Sequence, residues 1–187
     1  MSWKIREATL RDAAELLAIY TPYVTETAIT FENDVPTVEE FTQRMQAVQE
    51  KYPYLVLEED GRILGYAYAS TFKGRAAYDW SVETSIYVRK DAHRGGWGRK
   101  LYEALEEALK KQGVLNMYAC IGVPRGDDPY LTNNSMDFHA HLGYRLVGRF
   151  ECCGCKYGRW YEMVWMELML GEHAPEPTEV KAYRDVI

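Results

Sequence analysis

The chain reads as a mixed α/β (α+β) domain, seven strands in one sheet with helices on both faces. Three observations predict it. Periods of two and of 3.6 follow one another in the order β-α-α-β-β-β-α-β-α-β-β. Helices therefore alternate with strands in only part of the chain, which a wholly parallel sheet does not allow. One long strand-like run leads through a glycine-rich turn directly into an amphipathic helix. Finally, 187 residues with 47% hydrophobic side chains supply one core, with a tail to spare.

The elements follow in order. Residues 3–8 alternate weakly and make a first strand. Thr9 and Asp12 can cap a helix carrying Ala13, Leu16, Leu17 and Tyr20 on one face. Thr37-Val38-Glu39-Glu40 is a capping box, so a second helix runs to about Glu50. Residues 54–58 and 63–71 are strands, and Asp60-Gly61 between them signals a hairpin. Residues 72–78, with Lys73, Gly74 and Arg75, form a polar loop. Residues 80–89 are a strand with Trp80, Val82, Ile86 and Val88 on one parity and Ser81, Glu83, Ser85 and Tyr87 on the other. Glu83 thus sits in mid-strand, where a carboxylate is unusual.

Beyond the turn, Trp97, Leu101, Ala104, Leu105, Ala108 and Leu109 recur at helical spacing. Glu106 with Lys110 and Glu107 with Lys111 are i,i+4 pairs on the wet face, and Gly113 ends the helix. Residues 115–121 are a strand and 122–131, with Pro124, Gly126 and Pro129, a loop. A short helix over 132–142 stops at Gly143, and 144–150 and 163–169 finish as strands. Residues 171–187 contain Pro175 and Pro177 and read as a surface tail, so the expected division is a domain of 1–170 and a tail of 171–187.

Composition narrows the function. A net charge of −6 argues against a general nucleic-acid binder. No apolar run approaches the ~20 residues that span a bilayer. The first seven residues lack the apolar stretch of a signal peptide, so the expected compartment is the cytoplasm. Of the four cysteines, Cys152 and Cys155 have CxxC spacing, but no second pair lies nearby. Free thiols in a reducing compartment, and no metal, are the expectation.

The chemistry centres on His93-Arg94-Gly95-Gly96-Trp97-Gly98-Arg99-Lys100. A glycine turn at a helix start leaves backbone N–H groups unpaired at the positive end of the helix dipole, which suits phosphate. The same turn also serves as a plain strand-to-helix connection. A P-loop needs Lys-Ser or Lys-Thr after the last glycine, where Arg99-Lys100 stand; a dinucleotide fingerprint needs a third glycine, where Leu101 stands. The turn fits a third use, binding the diphosphate of coenzyme A.

Four passages then carry a resemblance: residues 27–31, residues 73–80, residues 82–88 with the glycine turn, and Phe138-His139-Ala140-His141-Leu142-Gly143-Tyr144 with 154–160 beyond it. Over about residues 3–170 the chain resembles the GNAT acetyltransferase superfamily, and within it the phosphinothricin and methionine-sulfone acetyltransferases. The resemblance implies a GNAT fold with a mostly antiparallel seven-stranded sheet and transfer of acetyl from acetyl-CoA to a primary amine, with no metal. It implies that the backbone of Ile86, Tyr87 and Val88 pairs with the pantetheine arm. Amides of Arg94, Gly95, Gly96, Trp97, Gly98 and Arg99 would hold the diphosphate. Asn133 or Asn134 would replace an asparagine the family has at the position of Thr132. Glu83 would be the general base and His139 the acid for the leaving thiolate. Phe31, Lys73, Arg75 and Tyr78 would face the acceptor, and the enzyme would be a homodimer.

Plain structural roles stand beside these. Glu83 can pair with Lys73 or Arg75, His139 can cap or pack a helix, and Phe31 can be core. Tyr130, Tyr157 and Tyr161, placed in loops, can ring an acceptor or line a dimer contact. Acetylation of protein N-termini or lysines, and a non-catalytic acyl-CoA-binding module, are the rival functions. A base is chemically required either way, because an α-amine with pKa near ~8 is mostly protonated at neutral pH.

Overall fold

The computed structural model describes residues 2–92 and 95–187. Seven strands form one sheet in the order β1-β2-β3-β4-β5-β7-β6. They are β1 (Trp3–Glu7), β2 (Tyr54–Glu59), β3 (Arg62–Thr71), β4 (Ser81–Val88), β5 (Asn116–Val123), β6 (Arg145–Lys156) and β7 (Arg159–Met169). Every neighbouring pair is antiparallel except β4 and β5. The helices are α1 (Ala13–Glu26), α2 (Val38–Gln49), α3 (Trp97–Gln112) and α4 (Asn134–His141).

Local chemistry sets these elements. Asp60 and Gly61 both take positive φ, 47° and 84°, the two-residue turn whose twist matches that of the strands it joins. At α2 the capping box forms in both directions: Glu40 N donates to Thr37 Oγ1 at 3.1 Å and Thr37 N to Glu40 Oε2 at 2.8 Å. Helix α3 starts and stops on left-handed glycines, Gly96 at φ 67° and Gly113 at φ 91°. Helices α1 and α2 bury Leu16, Val24 and Met45 on Val56 and Tyr66 of one sheet face. Helix α3 buries Leu101, Leu105 and Leu109 on Val82, Met117 and Val164 of the other. Among the described residues no helix is long and apolar enough to cross a membrane.

The last hairpin differs from the expected one. β6 continues to Lys156 and β7 begins at Arg159, joined by Tyr157 and Gly158 at φ 52° and 70°. An irregularity between Phe150 and Gly154, with Cys152 at φ 48°, breaks the alternation that would have marked these strands as long. Tyr161 is therefore a strand residue, not a loop residue. It is 1% exposed and its hydroxyl donates to Asp128 Oδ1 at 3.1 Å. Tyr157 is the turn itself, and its hydroxyl donates to the Val24 carbonyl at 2.9 Å.

Residues 171–187 hold one short 3₁₀ turn and lie against the domain. The Trp80 indole N–H donates to the Thr178 carbonyl at 2.7 Å, Lys181 N to the Gln112 carbonyl at 2.9 Å and Tyr183 N to the Lys51 carbonyl at 2.9 Å. Val180 is buried in the core under α3.

Candidate active site

β4 and β5 are the one parallel pair, and they pair only at Ser81, Val82 and Glu83 against Asn116, Met117 and Tyr118. Beyond that the strands part. The gap is a cleft of about 470 Å³, open to solvent, lined by Thr84–Tyr87 of β4, Ala119–Gly122 of β5, Tyr102 of α3, and Ser135 and His139 of α4. The backbone that faces it follows from the ladder. Arg89 N bonds the Leu64 carbonyl, so with the register Tyr66 to Tyr87 the odd residues of β4 turn their N–H and C=O toward β3. The even residues turn theirs toward the cleft. Of the three expected to pair with a pantetheine arm, Ile86 thus presents free main chain, while Tyr87 is engaged with β3. Val88 is already met by Tyr23, whose hydroxyl donates to its carbonyl at 2.5 Å and lies 3.3 Å from its N–H.

Helix α3 begins beside β4, where a Cβ on Gly98 would lie 3.7 Å from Ile86. Arg94, and His93 before it, lie outside the described residues. The first intrahelical bond of α3 is Lys100 N to the Gly96 carbonyl at 3.3 Å, so the N–H groups of Trp97, Gly98 and Arg99 have no helical partner. A Cβ on Gly95 would fall 2.2 Å from the Trp97 indole, and one on Gly98 would fall 3.1 Å from Phe138. Arg99 is exposed and 4.0 Å from Glu103. Lys100 caps the faces of Trp3 and Trp97, at 4.2 and 4.4 Å from the ring centroids. Asn134 is exposed in the first turn of α4, where its N–H donates to Thr132 Oγ1 at 3.3 Å; Ser135 and His139, not Asn134, line the cleft.

Glu83 stands where the parallel pairing ends, opposite Ser70. It is half-buried and has no ion pair among the described residues; neither Lys73 nor Arg75 closes on it. Burial raises its pKa, and Lys73 opposes that shift. The nearby Cys120 thiol is pushed up to about 11 by burial first, then by Glu83 and Cys153. Among the described residues no group of three or more His, Cys, Asp or Glu side chains could hold a metal.

His139 is 3% exposed and fully bonded. Its Nδ1 lies 2.7 Å from the Ser135 carbonyl, which can only accept, so Nδ1 carries the proton. Nε2 then accepts from the Tyr102 hydroxyl at 3.0 Å. Burial lowers the His139 pKa and raises that of Tyr102. The Thr84 hydroxyl, donated to the Tyr118 carbonyl at 3.2 Å, lies 3.4 Å from Tyr102. Tyr102 is a site residue that spacing does not reveal, because it looks like one more large side chain on the buried face of α3.

Phe31, Lys73, Arg75 and Tyr78 are the residues expected to face the acceptor. The Phe31 ring lies on two glycines: a Cβ would fall 2.4 Å from it at Gly154 and 3.3 Å from it at Gly122. The loop that carries Phe31 is held by Lys156, 3% exposed, whose ammonium donates to the Val24 and Thr30 carbonyls at 2.8 Å each. Lys73 lies 5.0 Å from the Phe72 ring centroid and 6.0 Å from that of Trp165, and Tyr78 meets Phe72 edge-on at 6.0 Å. Arg75 is exposed on the same loop and has no ion pair among the described residues.

The mixed sheet, with its one parallel pair opening beside the start of α3 and a half-buried carboxyl at the fork, is shared with solved acetyltransferases in complex with AcCoA. The chain belongs to the GNAT acetyltransferase family, whose profile, described as an acetyltransferase (GNAT) domain, matches residues 5–165. It is 35% identical to a phosphinothricin N-acetyltransferase of Streptomyces viridochromogenes over 86% of this chain and 84% of that one. It is 33% identical to an L-methionine sulfoximine/L-methionine sulfone acetyltransferase of Pseudomonas aeruginosa, over 91% and 96% of the two chains. A solved phosphinothricin acetyltransferase of Sinorhizobium meliloti in complex with AcCoA superposes with a TM-score of 0.86 at 32% identity, covering 98% of this chain and 100% of that one.

Proposed function

We propose that the protein moves acetyl from acetyl-CoA to the primary amine of a small amino-acid-like acceptor, of the phosphinothricin, methionine sulfone or methionine sulfoximine type. The observation that carries this reading is Glu83: a half-buried carboxyl with a raised pKa, unpaired, at the fork of the cleft. Ionised Glu83 takes a proton from the bound ammonium, directly or through a water, and frees the amine lone pair for attack. The fork also fits the co-substrate. The N–H groups of Trp97, Gly98 and Arg99 suit a diphosphate, and Ile86 offers a donor and an acceptor to an extended amide arm. Acetyl-CoA supplies the activated thioester; the protein supplies orientation and proton handling. Tyr102, whose hydroxyl donates to neutral His139, lines the cleft and can turn that hydroxyl to hydrogen-bond the departing thiolate, which takes up, through water, the proton that Glu83 removed from the amine.

Direct transfer fits better than an acyl-enzyme, because the cysteine lining the cleft, Cys120, stays a protonated thiol at neutral pH. Four free cysteines favour the reducing cytoplasm. A homodimer is supported by the exposed side chains of Leu146, Val147, Phe150 and Trp160 on the β6–β7 hairpin at the sheet edge. The decisive experiment is a thiol-release assay with acetyl-CoA across amino acids and the named analogues. Release with a sulfone or phosphinate amino acid, and its loss in Glu83→Gln, supports the reading. No release with any amine, or a Glu83→Gln enzyme with an unchanged rate, overturns it.

A further inference from the structure

Among the described residues few buried side-chain atoms lack a hydrogen-bond partner, and one of them belongs to a residue packed against the cleft wall: the hydroxyl of Tyr144. Tyr144 is 4% exposed and stands between the end of α4 and β6. Its N–H donates to the His139 carbonyl at 3.1 Å, so the turn that closes α4 sets its ring on the site. The ring meets that of His139 edge-on at 5.1 Å and that of Tyr102 at 6.1 Å, and both of those side chains line the cleft. Thr84, 5% exposed on β4, brings the hydroxyl that lies beside it. Glu106, one turn beyond Tyr102 on α3, is drawn off by Lys110 at 3.8 Å. A buried phenol is costly to leave unpaired, so an orphan one next to reacting groups calls for a use.

The protons of this cluster are nearly all committed. His139 Nδ1 gives its proton to the Ser135 carbonyl, Tyr102 gives its own to His139 Nε2, and Thr84 gives its own to the Tyr118 carbonyl. The oxygens of Thr84 and Tyr102, 3.4 Å apart, then face each other with no proton between them. The Tyr144 proton alone is spare. Demand for it arises when a thiolate forms in the cleft. The anion draws the Tyr102 hydroxyl into a charge-assisted bond, about twice as strong as a neutral one. Tyr102 then carries an open lone pair, which Thr84 fills by rotating its hydroxyl. Thr84 in turn accepts from Tyr144. Three hydroxyls now point one way, from Tyr144 through Thr84 and Tyr102 to sulfur, and each bond in such a chain strengthens the next. The acceptors released, the Tyr118 carbonyl and His139 Nε2, are neutral, and no proton changes owner. Burial raises the pKa of both phenols, so each keeps its proton to donate.

We infer that Tyr144 is a positioning residue for thioester cleavage: its hydroxyl backs Thr84, which backs Tyr102 against the departing CoA thiolate. The inference rests on the reading of Tyr102 as the group that meets the thiolate. Tyr144→Phe removes the hydroxyl and keeps the ring. For a side chain that only packs, stability and rate move together; here they should part. The unfolding midpoint should rise by about 2 °C, because a buried unpaired polar group is gone. Single-turnover thiol release from acetyl-CoA should meanwhile slow threefold to tenfold, with both KM values within twofold of the parent. A double-mutant cycle locates the effect: in a Tyr102→Phe background, Tyr144→Phe should change the rate less than twofold. Thr84→Val, of similar shape without the hydroxyl, should behave as Tyr144→Phe does in both backgrounds, and it carries the cycle if Tyr144→Phe does not fold. A Tyr144→Phe enzyme at the parental rate, or losses that multiply with that of Tyr102→Phe, would overturn the inference while leaving the transferase reading intact. Parental thiol release in Tyr102→Phe removes the role of Tyr102 and this inference with it. If the parent enzyme releases no thiol with any amine, the transferase reading falls as well.

Discussion

At the scale of single residues, Glu83 and Lys73 set the pH behaviour of the site. The folded pKa of Glu83 is raised by burial, and Lys73 holds that rise in check. With Glu83 as the proposed base the active form is the ionised one, so kcat/KM should fall as pH drops, with its acid limb above the ordinary glutamate range near 4.5. Glu83→Gln is expected to lose about 10²- to 10⁴-fold in kcat and the acid limb with it. Lys73→Met removes the charge that favours the carboxylate, so the limb moves to higher pH; a limb that stays or moves down counts against Glu83 as the base. Tyr102→Phe keeps the ring in the core but removes the donor to His139. It should slow release of CoA thiol without raising either KM. Glu83 was legible in the sequence because a mid-strand carboxylate contradicts its surroundings, and His139 because its helix resembled a known motif. Tyr102 and Lys156 were not legible. Tyr102 shares the spacing of the α3 core, and a lysine ending an edge strand reads as solvated until the fold closes the α1 terminus over it.

Among the elements, the loop after α1 and the hairpin β6–β7 act together. Phe31 can lie flat only because Gly122 and Gly154 lack side chains, and the loop stays down because Lys156 binds two carbonyls that the end of α1 and the following turn leave free. Gly154→Ala forces the ring off its seat, so KM for the acceptor should rise at least fivefold while KM for acetyl-CoA stays put. Gly98→Ala, crowding Phe138 at the start of α3, should show the reverse pattern. Initial-rate kinetics varying each substrate in turn separate the two; equal effects on both substrates in either variant would mean the elements do not divide the site this way. Turn chemistry explains what could be foreseen of these elements. Asp60-Gly61 is a strong hairpin pair and announced β2 and β3. Tyr157-Gly158 uses the same geometry with a residue rarely chosen for it, and the irregularity at Cys152 hid the strand before it. The parting of β4 from β5, which makes the cleft, is a property of the register and has no signature in either strand alone.

For the whole molecule, the sheet edges decide the state of assembly. β6 ends the sheet, is twelve residues long and leaves one row of backbone groups unpaired. Edges of that length are ordinarily blunted by proline or by free charge. Here there is no proline in β6, and its two arginines, both half-exposed or more, are paired with carboxylates of β7, Arg145 with Glu167 and Arg149 with Glu162. Beside these pairs it exposes large apolar side chains, with Leu146, Val147 and Phe150 each at least half exposed and Trp160 of the adjoining strand at 60%. At a net charge of −6 two copies repel at long range, so in the proposed homodimer the association would come from burial of this face. A twofold axis beside β6 lays the same patch of each copy on the other and pairs both edges at once, whereas an offset contact would leave an edge open and propagate. Light scattering should then report twice the 21.7 kDa chain mass at micromolar concentration. Phe150→Lys combined with Trp160→Glu should return the 21.7 kDa species with an unchanged far-ultraviolet spectrum. A parent protein that scatters as a single chain at that concentration would rule out the homodimer. An active monomeric double variant would leave the dimer standing but show that the cleft and the glycine turn need nothing from the second copy.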